Sequence, residues 1–299
     1  MTKVECNRVI NGILLVNKPQ GLSSNAVLQQ VRRLYRAKKA GHTGSLDPLA
    51  TGMLPICFGE ATKFCQYLLD ADKCYEATGV LGVKTNTGDV LGEVIKTTPP
   101  FTLNESDLLI ALKQFKGTIK QVPSMFSALK HKGTPLYKYA REGITIERPA
   151  REITVHELEL IAFSGNQFEI KVSCSKGTYI RNLVEDIGDL LGVGAHVTKL
   201  HRLSTAGFGN AKMYTLDELQ QKSPEELVDC LLPMERAVSY LPRLDLGNDE
   251  ISALRQGKAL DWIGKNEASG CVRLYNNNCF IGLGELNAGN LSVKRLLAF

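Results

Sequence analysis

Gly41-His42-Thr43-Gly44-Ser45-Leu46-Asp47-Pro48-Leu49-Ala50-Thr51-Gly52 holds three glycines, one imidazole and one carboxylate in twelve residues. Glycines allow positive φ and close backbone approach, so the stretch is poor helix or strand and suits a shaped loop. Asp47 admits two readings. Asp followed by Pro is a frequent helix start, with Asp as N-cap and Pro at the first helical position. The other reading is a lone carboxylate held on a loop for chemistry. The local pattern favours the cap, and the rest of the chain has to decide.

The 299 residues are 43% hydrophobic and 22% charged, the balance of a globular chain with one large domain or two ordinary ones. No run approaches the roughly 18 apolar residues of a membrane span, and no signal peptide is expected. Eight scattered cysteines without a C-x-x-C pair point to buried thiols in a reducing compartment, hence a cytoplasmic protein. The net charge of +5 is modest, but its distribution is informative. Arg32, Arg33, Arg36, Lys38 and Lys39 precede the loop, and Lys130, His131, Lys132, Tyr137, Lys138, Tyr139 and Arg141 form a second basic group with aromatics. Either alone is an ordinary solvated face; together they favour a phosphate-bearing polymer.

In chain order, 10–16 reads as a buried strand, and Ser23 or Ser24 can cap an amphipathic helix over 25–36. A strand at 53–58 and a helix over 60–69 follow the loop. Strands at 73–81 and 90–97 flank the turn residues 86–89 and predict an antiparallel hairpin. A helix over 105–115 leads to a Pro-punctuated insert, 123–151, in which Thr134 can cap a short helix beginning at Pro135. Strands at 153–163 and 168–174, a helix over 179–191 and a strand through 197–203 complete the first region. Residues 241–243 are the expected boundary before a small, mostly β appendage with one helix, 249–255, and three strands. The fold class is therefore α+β: a mixed, largely antiparallel sheet flanked by helices in a domain over 1–240, then a small β domain over 244–299.

No phosphate-binding, dinucleotide-binding, zinc-protease or nucleophile-elbow motif occurs, so nucleotide cofactors and metals are unsupported. The loop, Lys18-Pro19, Tyr75, the segment 123–130 and Cys174-Ser175-Lys176-Gly177-Thr178-Tyr179-Ile180-Arg181 together resemble the TruB family of tRNA pseudouridine synthases. The blocks occur in the family's order over most of the first 210 residues.

That resemblance implies isomerisation of the uridine at position 55 in the tRNA T-loop, with a flipped base, no cofactor, no membrane, and the T-arm as partner without an obligatory protein partner. It implies Asp47 as the catalyst, Arg181 as its pair and Tyr75 as the residue that stacks on the base and takes the carbon 5 proton. His42, Tyr179 and Leu200 would wall the base pocket, with Lys18 near the site. An arginine this close would lower the Asp47 pKa by about 1 to 3 units. Residues 123–151 would fold over the RNA arm, with Lys130, Lys132 and Arg141 joining Arg36, Lys38 and Lys39 on phosphates. The chain has Phe126, without a phenolic hydroxyl, in that segment. A PUA-like RNA-binding module is implied for 244–299. A non-catalytic RNA-binding or RNA-folding protein would also use the basic clusters, but gives no reason for Asp47, Tyr75 and Arg181 to occur together.

Overall fold

The computed structural model describes residues 9–205, 207–262 and 269–298, and builds them around one eight-stranded and one five-stranded sheet. The large sheet begins with β1 (Gly12–Lys18), followed by helix α1 (Ser24–Leu34), the short β2 (Ala40–His42) and β3 (Thr51–Phe58). A 3-10 turn (Gly59–Phe64) runs into α2 (Cys65–Leu69), β4 (Lys73–Leu81), and a small ribbon of β5 (Val83–Thr85) and β6 (Val94–Thr97). Next come α3 (Glu105–Lys113) and β7 (Gly117–Gln121). The insert carries β8 (Lys130–His131), β9 (Thr134–Pro135) and α4 (Leu136–Arg141). The long hairpin β10 (Arg151–Ser164) and β11 (Gln167–Cys174), α5 (Ile180–Leu190) and β12 (Ala195–Thr205) finish this region.

Strand order is β1-β3-β12-β4-β11-β10-β7, with β2 beside β3, and every pairing is antiparallel except β12 with β3. This is the mixed, largely antiparallel sheet expected. α1 buries Val27, Leu28 and Val31 on the β1–β3 end, where α6 (Leu216–Gln220) and α7 (Pro224–Asp229) join it. α3 and α5 bury Leu108, Leu112, Leu183, Val184 and Ile187 on the β4–β11–β10 end.

Three local expectations are corrected. β4 does not pair with 90–97; it lies between β12 and β11, and the turn at 86–89 instead closes the β5–β6 ribbon. Buried at most of its positions, β4 is suited to the middle of a sheet, whereas β6 is exposed throughout. Thr134 does not cap α4: it pairs with His131 in the β8–β9 turn, and Pro135 is the N-cap rather than the first helical residue. No helix follows Asp47 either. Pro48, Leu49 and Ala50 turn directly into β3, with the Ala50 N–H donating to the Asp47 carbonyl at 3.1 Å, so the capping reading of Asp47 falls.

The loop exists because one edge of β3 is shared. β12 pairs with residues 51–52 and β2 with residues 56–58, leaving a gap between them. Pro55 lies in that gap, where its missing N–H deprives no partner, and its carbonyl accepts the Thr43 N–H at 3.1 Å. At the β12 side Gly52 is obligatory: φ is +99°, and a Cβ there would lie 2.3 Å from the Arg202 carbonyl oxygen.

The small sheet has the order β13 (Arg243–Asp245), β15 (Gly270–Asn276), β16 (Cys279–Asn287), β17 (Asn290–Leu296) and β14 (Leu260–Asp261), beside α8 (Asn248–Arg255). β13 and β14 escaped the sequence reading because each is only two or three residues long. Tyr275, Phe280, Leu283 and Leu297 pack into the same cluster as Ile13, Leu15, Met53, Phe64 and Leu68, so the two sheets share a core. Lys63 Nζ donates to the Leu296 carbonyl at 2.9 Å, and Glu60 accepts from the Ala298 N–H at 2.6 Å. Residue 299, within the expected second domain, lies outside the described residues, as does Cys6.

Candidate active site

Residues 43–50 are pinned on several sides. Ser24 Oγ donates to the Leu46 carbonyl at 3.1 Å and accepts the Leu46 N–H at 2.7 Å, while Ser23 provides the α1 cap. The Gly21 N–H donates to the Pro48 carbonyl at 2.7 Å, and Leu46, Leu49 and Ala50 are buried in the core below. A loop fixed by backbone bonds and three apolar anchors has little freedom left, and its one carboxylate is held with it.

Asp47 borders a cleft of about 360 Å³ together with Tyr75, Tyr179, Arg181, Leu200 and Arg202. The Arg181 Nε lies 2.8 Å from Asp47 Oδ2; the arginine side chain is 4% exposed and the aspartate 39%. Arg181 Nη2 donates to the Phe126 carbonyl at 2.8 Å, Nη1 donates to the Thr87 carbonyl, and Asp89 Oδ2 stands 3.8 Å from Nη1. Each of the three guanidinium nitrogens is thereby engaged. Arg181 reaches this place because Tyr179 is the α5 N-cap. The Gln121 side-chain amide grips the Tyr179 backbone, accepting its N–H at 2.8 Å and donating to its carbonyl at 3.0 Å. Phe126 contributes its main chain here, so the lack of a phenolic hydroxyl does not disturb this contact.

Burial in the cleft pushes the Asp47 carboxyl above its ordinary value, against the opposing pull of Arg181. This reverses the expected direction, because the pocket floor strips more hydration from the carboxylate than the single cation returns. Burial likewise raises the Tyr75 and Tyr179 phenols. His42, at the end of β2, is half-buried with no hydrogen-bond partner on Nδ1, and burial and Arg202 lower its pKa. Lys18 is fully buried behind the loop and does not line the cleft; its Nζ donates to the Pro19 carbonyl at 2.9 Å and to that of Leu22 at 2.6 Å. Burial pushes it down to about 8, with Asp47 opposing.

A larger cavity of about 460 Å³ also touches Leu200. Most of its strand residues, Glu76, Thr78, Lys199 and His201, alternate with Tyr75 and Leu200 along β4 and β12 and so face the other way. It lacks the Asp47–Arg181 pair, which the smaller cleft holds. Among the described residues no group of His, Cys, Asp and Glu is arranged to hold a metal ion.

Matches to known proteins agree with this geometry. Residues 32–180 match the model described as TruB family pseudouridylate synthase (N terminal domain), residues 181–239 the tRNA pseudouridylate synthase B C-terminal domain, and 242–297 the pseudouridine synthase II TruB C-terminal domain. The tRNA pseudouridine synthase B of Legionella pneumophila is 58% identical over 306 residues, covering 100% of this chain and 99% of the relative. The chain belongs to the TruB family of pseudouridylate synthases. A second member, from Aeromonas salmonicida, is 52% identical over 98% of this chain and 95% of its own length. A crystal structure of a Cbf5–Nop10–Gar1 complex contains a chain that superposes with a TM-score of 0.75 at 25% identity, covering 96% of this chain and 85% of that one.

Of the residues singled out in the TruB-like sequence blocks, Asp47, Tyr75, Tyr179, Arg181 and Leu200 meet at one cleft, whereas Lys18 and His42 stand outside its lining. Arg36, Lys38, Lys39, Lys130, Lys132 and Arg141 are all exposed, the last stacked on Tyr137 at 5.4 Å. Sequence reasoning missed Asp89, Gln121, Lys73 and Arg202. Asp89 was absorbed into the turn at 86–89, where its Oδ1 does accept the Leu91 N–H at 3.0 Å. Lys73 and Arg202 look like surface cations in the sequence but are buried, at 7% and 1% exposure. Both strands carry other charged or polar residues, Glu76 on β4 and Lys199 and His201 on β12, so composition alone did not set these two cations apart.

Proposed function

We propose that this protein converts uridine to pseudouridine at position 55 of the tRNA T-loop, using Asp47 on a base flipped into the cleft. The observation that carries this is a single partly open carboxylate, fixed on a rigid loop and paired with a buried arginine, beside a buried tyrosine. Cleaving a glycosidic bond calls for a carboxylate acting as nucleophile or base, and a raised pKa makes that group more basic. Arg181 fixes its orientation. Tyr75 offers a ring for stacking and a hydroxyl that, once ionised, takes the carbon 5 proton, and Tyr179 and Leu200 flank the base, with His42 outside the cleft lining. Extraction of a base costs a few kcal/mol, which stacking at about 1 to 3 kcal/mol per base largely offsets.

The exposed cations on both sides of the loop would hold the phosphates of the T-arm, and the insert, anchored to Arg181 through Phe126, would close over it. The small sheet over 244–299 is read as a PUA-like RNA-binding module. The reaction moves one bond and needs no cofactor, and the free cysteines suit a cytoplasmic setting.

The test is to assay the purified chain alone on an unmodified T-arm hairpin. Turnover by the chain alone supports this reading, and a requirement for added proteins refutes it as stated. Asp47→Asn should abolish pseudouridine formation and change RNA affinity by less than about threefold, roughly 0.7 kcal/mol. Retained turnover would show that another group does the chemistry, and an inactive wild type that binds RNA would favour the non-catalytic alternative.

A further inference from the structure

Arg202 is fully buried, and no carboxylate lies within ion-pair distance of it among the described residues. A charge in that position is costly unless its hydrogen bonds are satisfied, so its contacts indicate what it is kept for. Nε donates to the Met53 carbonyl at 2.6 Å, and Nη2 donates to the Gly44 carbonyl at 3.1 Å. Both acceptors border the gap in β3 from which the Asp47 loop emerges. Arg202 and Tyr75 are directly opposite each other on β12 and β4, both line the cleft, and the positive charge of the guanidinium opposes the burial that raises the Tyr75 phenol. One rigid fork is therefore bonded to the loop that carries Asp47 and sits on the strand position facing Tyr75.

We propose that Arg202 is a positioning residue for the isomerisation: it holds the Tyr75 hydroxyl in register with Asp47, and its positive charge stabilises the phenolate that accepts the proton from carbon 5. This rests on the role given to Tyr75 above. In that step the C5–H bond breaks, its electron pair returns to the ring, and the proton passes to the Tyr75 phenolate, which becomes the neutral phenol, its earlier proton having passed to solvent. Arg202 exchanges no proton itself and touches no substrate atom. A brace of the sheet split alone would require the Met53 and Gly44 contacts but no coupling to the Tyr75 hydroxyl, and that difference can be measured.

The experiment is a double-mutant cycle with Tyr75→Phe and Arg202→Met, read as the single-turnover rate of pseudouridine formation and, separately, as RNA affinity. In the wild-type background Arg202→Met should slow the reaction by at least about tenfold with affinity changed less than about threefold. In the Tyr75→Phe background the same change should cost less than about threefold, because the hydroxyl that Arg202 serves is gone. Equal losses in both backgrounds, or a loss confined to affinity, would overturn the proposal. Should Arg202→Met fail to fold, the cycle is run with Arg202→Lys, which keeps a buried cation and loses the fork, under the same criteria. An Asp47→Asn control retaining turnover would remove the functional reading itself, and so separates that failure from this one.

Discussion

Replacing Arg181 with Met removes a group of similar reach and takes away its charge and all its donors. The salt bridge to Asp47 spans 2.8 Å between nitrogen and oxygen. With charge centres about 4 Å apart and an effective dielectric constant of about 20, the attraction is about 4 kcal/mol. Because Asp47 is 39% exposed, solvent screens part of it, and about 1.5 to 3 kcal/mol is a better value. Losing that attraction should push the Asp47 pKa further above its already raised position. The mutation also leaves the Phe126 and Thr87 carbonyls without this donor and faces Asp89 with no cation, so stability should fall by about 3 kcal/mol. The assay is tritium release from RNA labelled at carbon 5 of the target uridine, under single-turnover conditions across a pH series, paired with urea unfolding. The acid limb of the rate profile should move up with the Asp47 pKa. A slower reaction whose acid limb stays in place would refute the idea that Arg181 acts through the ionisation of Asp47.

Other expectations test separate parts of the argument. Burial and the neighbouring Glu185 and Asp189 push Asp186 up to about 6. The folded state thus binds this proton more tightly than the unfolded chain, and stability contributed below pH 4 or so is lost as pH rises through about 6. Asp186→Asn should then stabilise the protein by about 1 to 2 kcal/mol near pH 8, after allowing for partial exposure, with the gain shrinking on acidification. An equal gain at all pH values would assign the effect elsewhere. Gly52→Ala should cost about 3 kcal/mol or more, since positive φ and the 2.3 Å approach of the Arg202 carbonyl both oppose a Cβ. Gly21→Ala, at φ +87° with open space around it, should cost about 1 kcal/mol, and equal losses would show that close approach is irrelevant. Replacing Lys38 and Lys39 together should flatten the plot of log affinity against log salt by up to about 1.8 if both neutralise phosphates. An unchanged slope would mark them as merely solvated.

Elements governed by their own periodicity were legible in the sequence. α1, α3 and α5 show inward Val, Leu and Ile at helical spacing, and β10–β11 alternates around a Gly165 turn. Pairing over long distances was not legible. Nothing near Lys73 reveals that β4 will lie between β11 and β12, about a hundred residues further along, so the adjacent β-rich segment was taken as its partner. The site divided on similar lines. Asp47 stood out as the one acid among glycines, and Arg181, Tyr75 and Tyr179 were found through blocks resembling a known family. Arg202, Lys73 and Asp89 act from burial, and burial is a property of the assembled sheet. The direction of the Asp47 shift was missed for the same reason: the sequence identified the arginine but gave no measure of the depth of the cleft.

The core shared between the two sheets bears on how this molecule comes apart. Phe280 and Leu297 cover Phe64 and Leu68, and the carbonyls of Leu68, Leu69 and Ala71 hold the Lys73 ammonium, two residues before Tyr75. Deleting the C-terminal sheet would expose that cluster to water and loosen the segment that leads into the central strand. Heating should therefore give a single cooperative transition for the whole chain. A shortened chain would lose more than the small sheet itself: the part left behind would no longer be the same folded object.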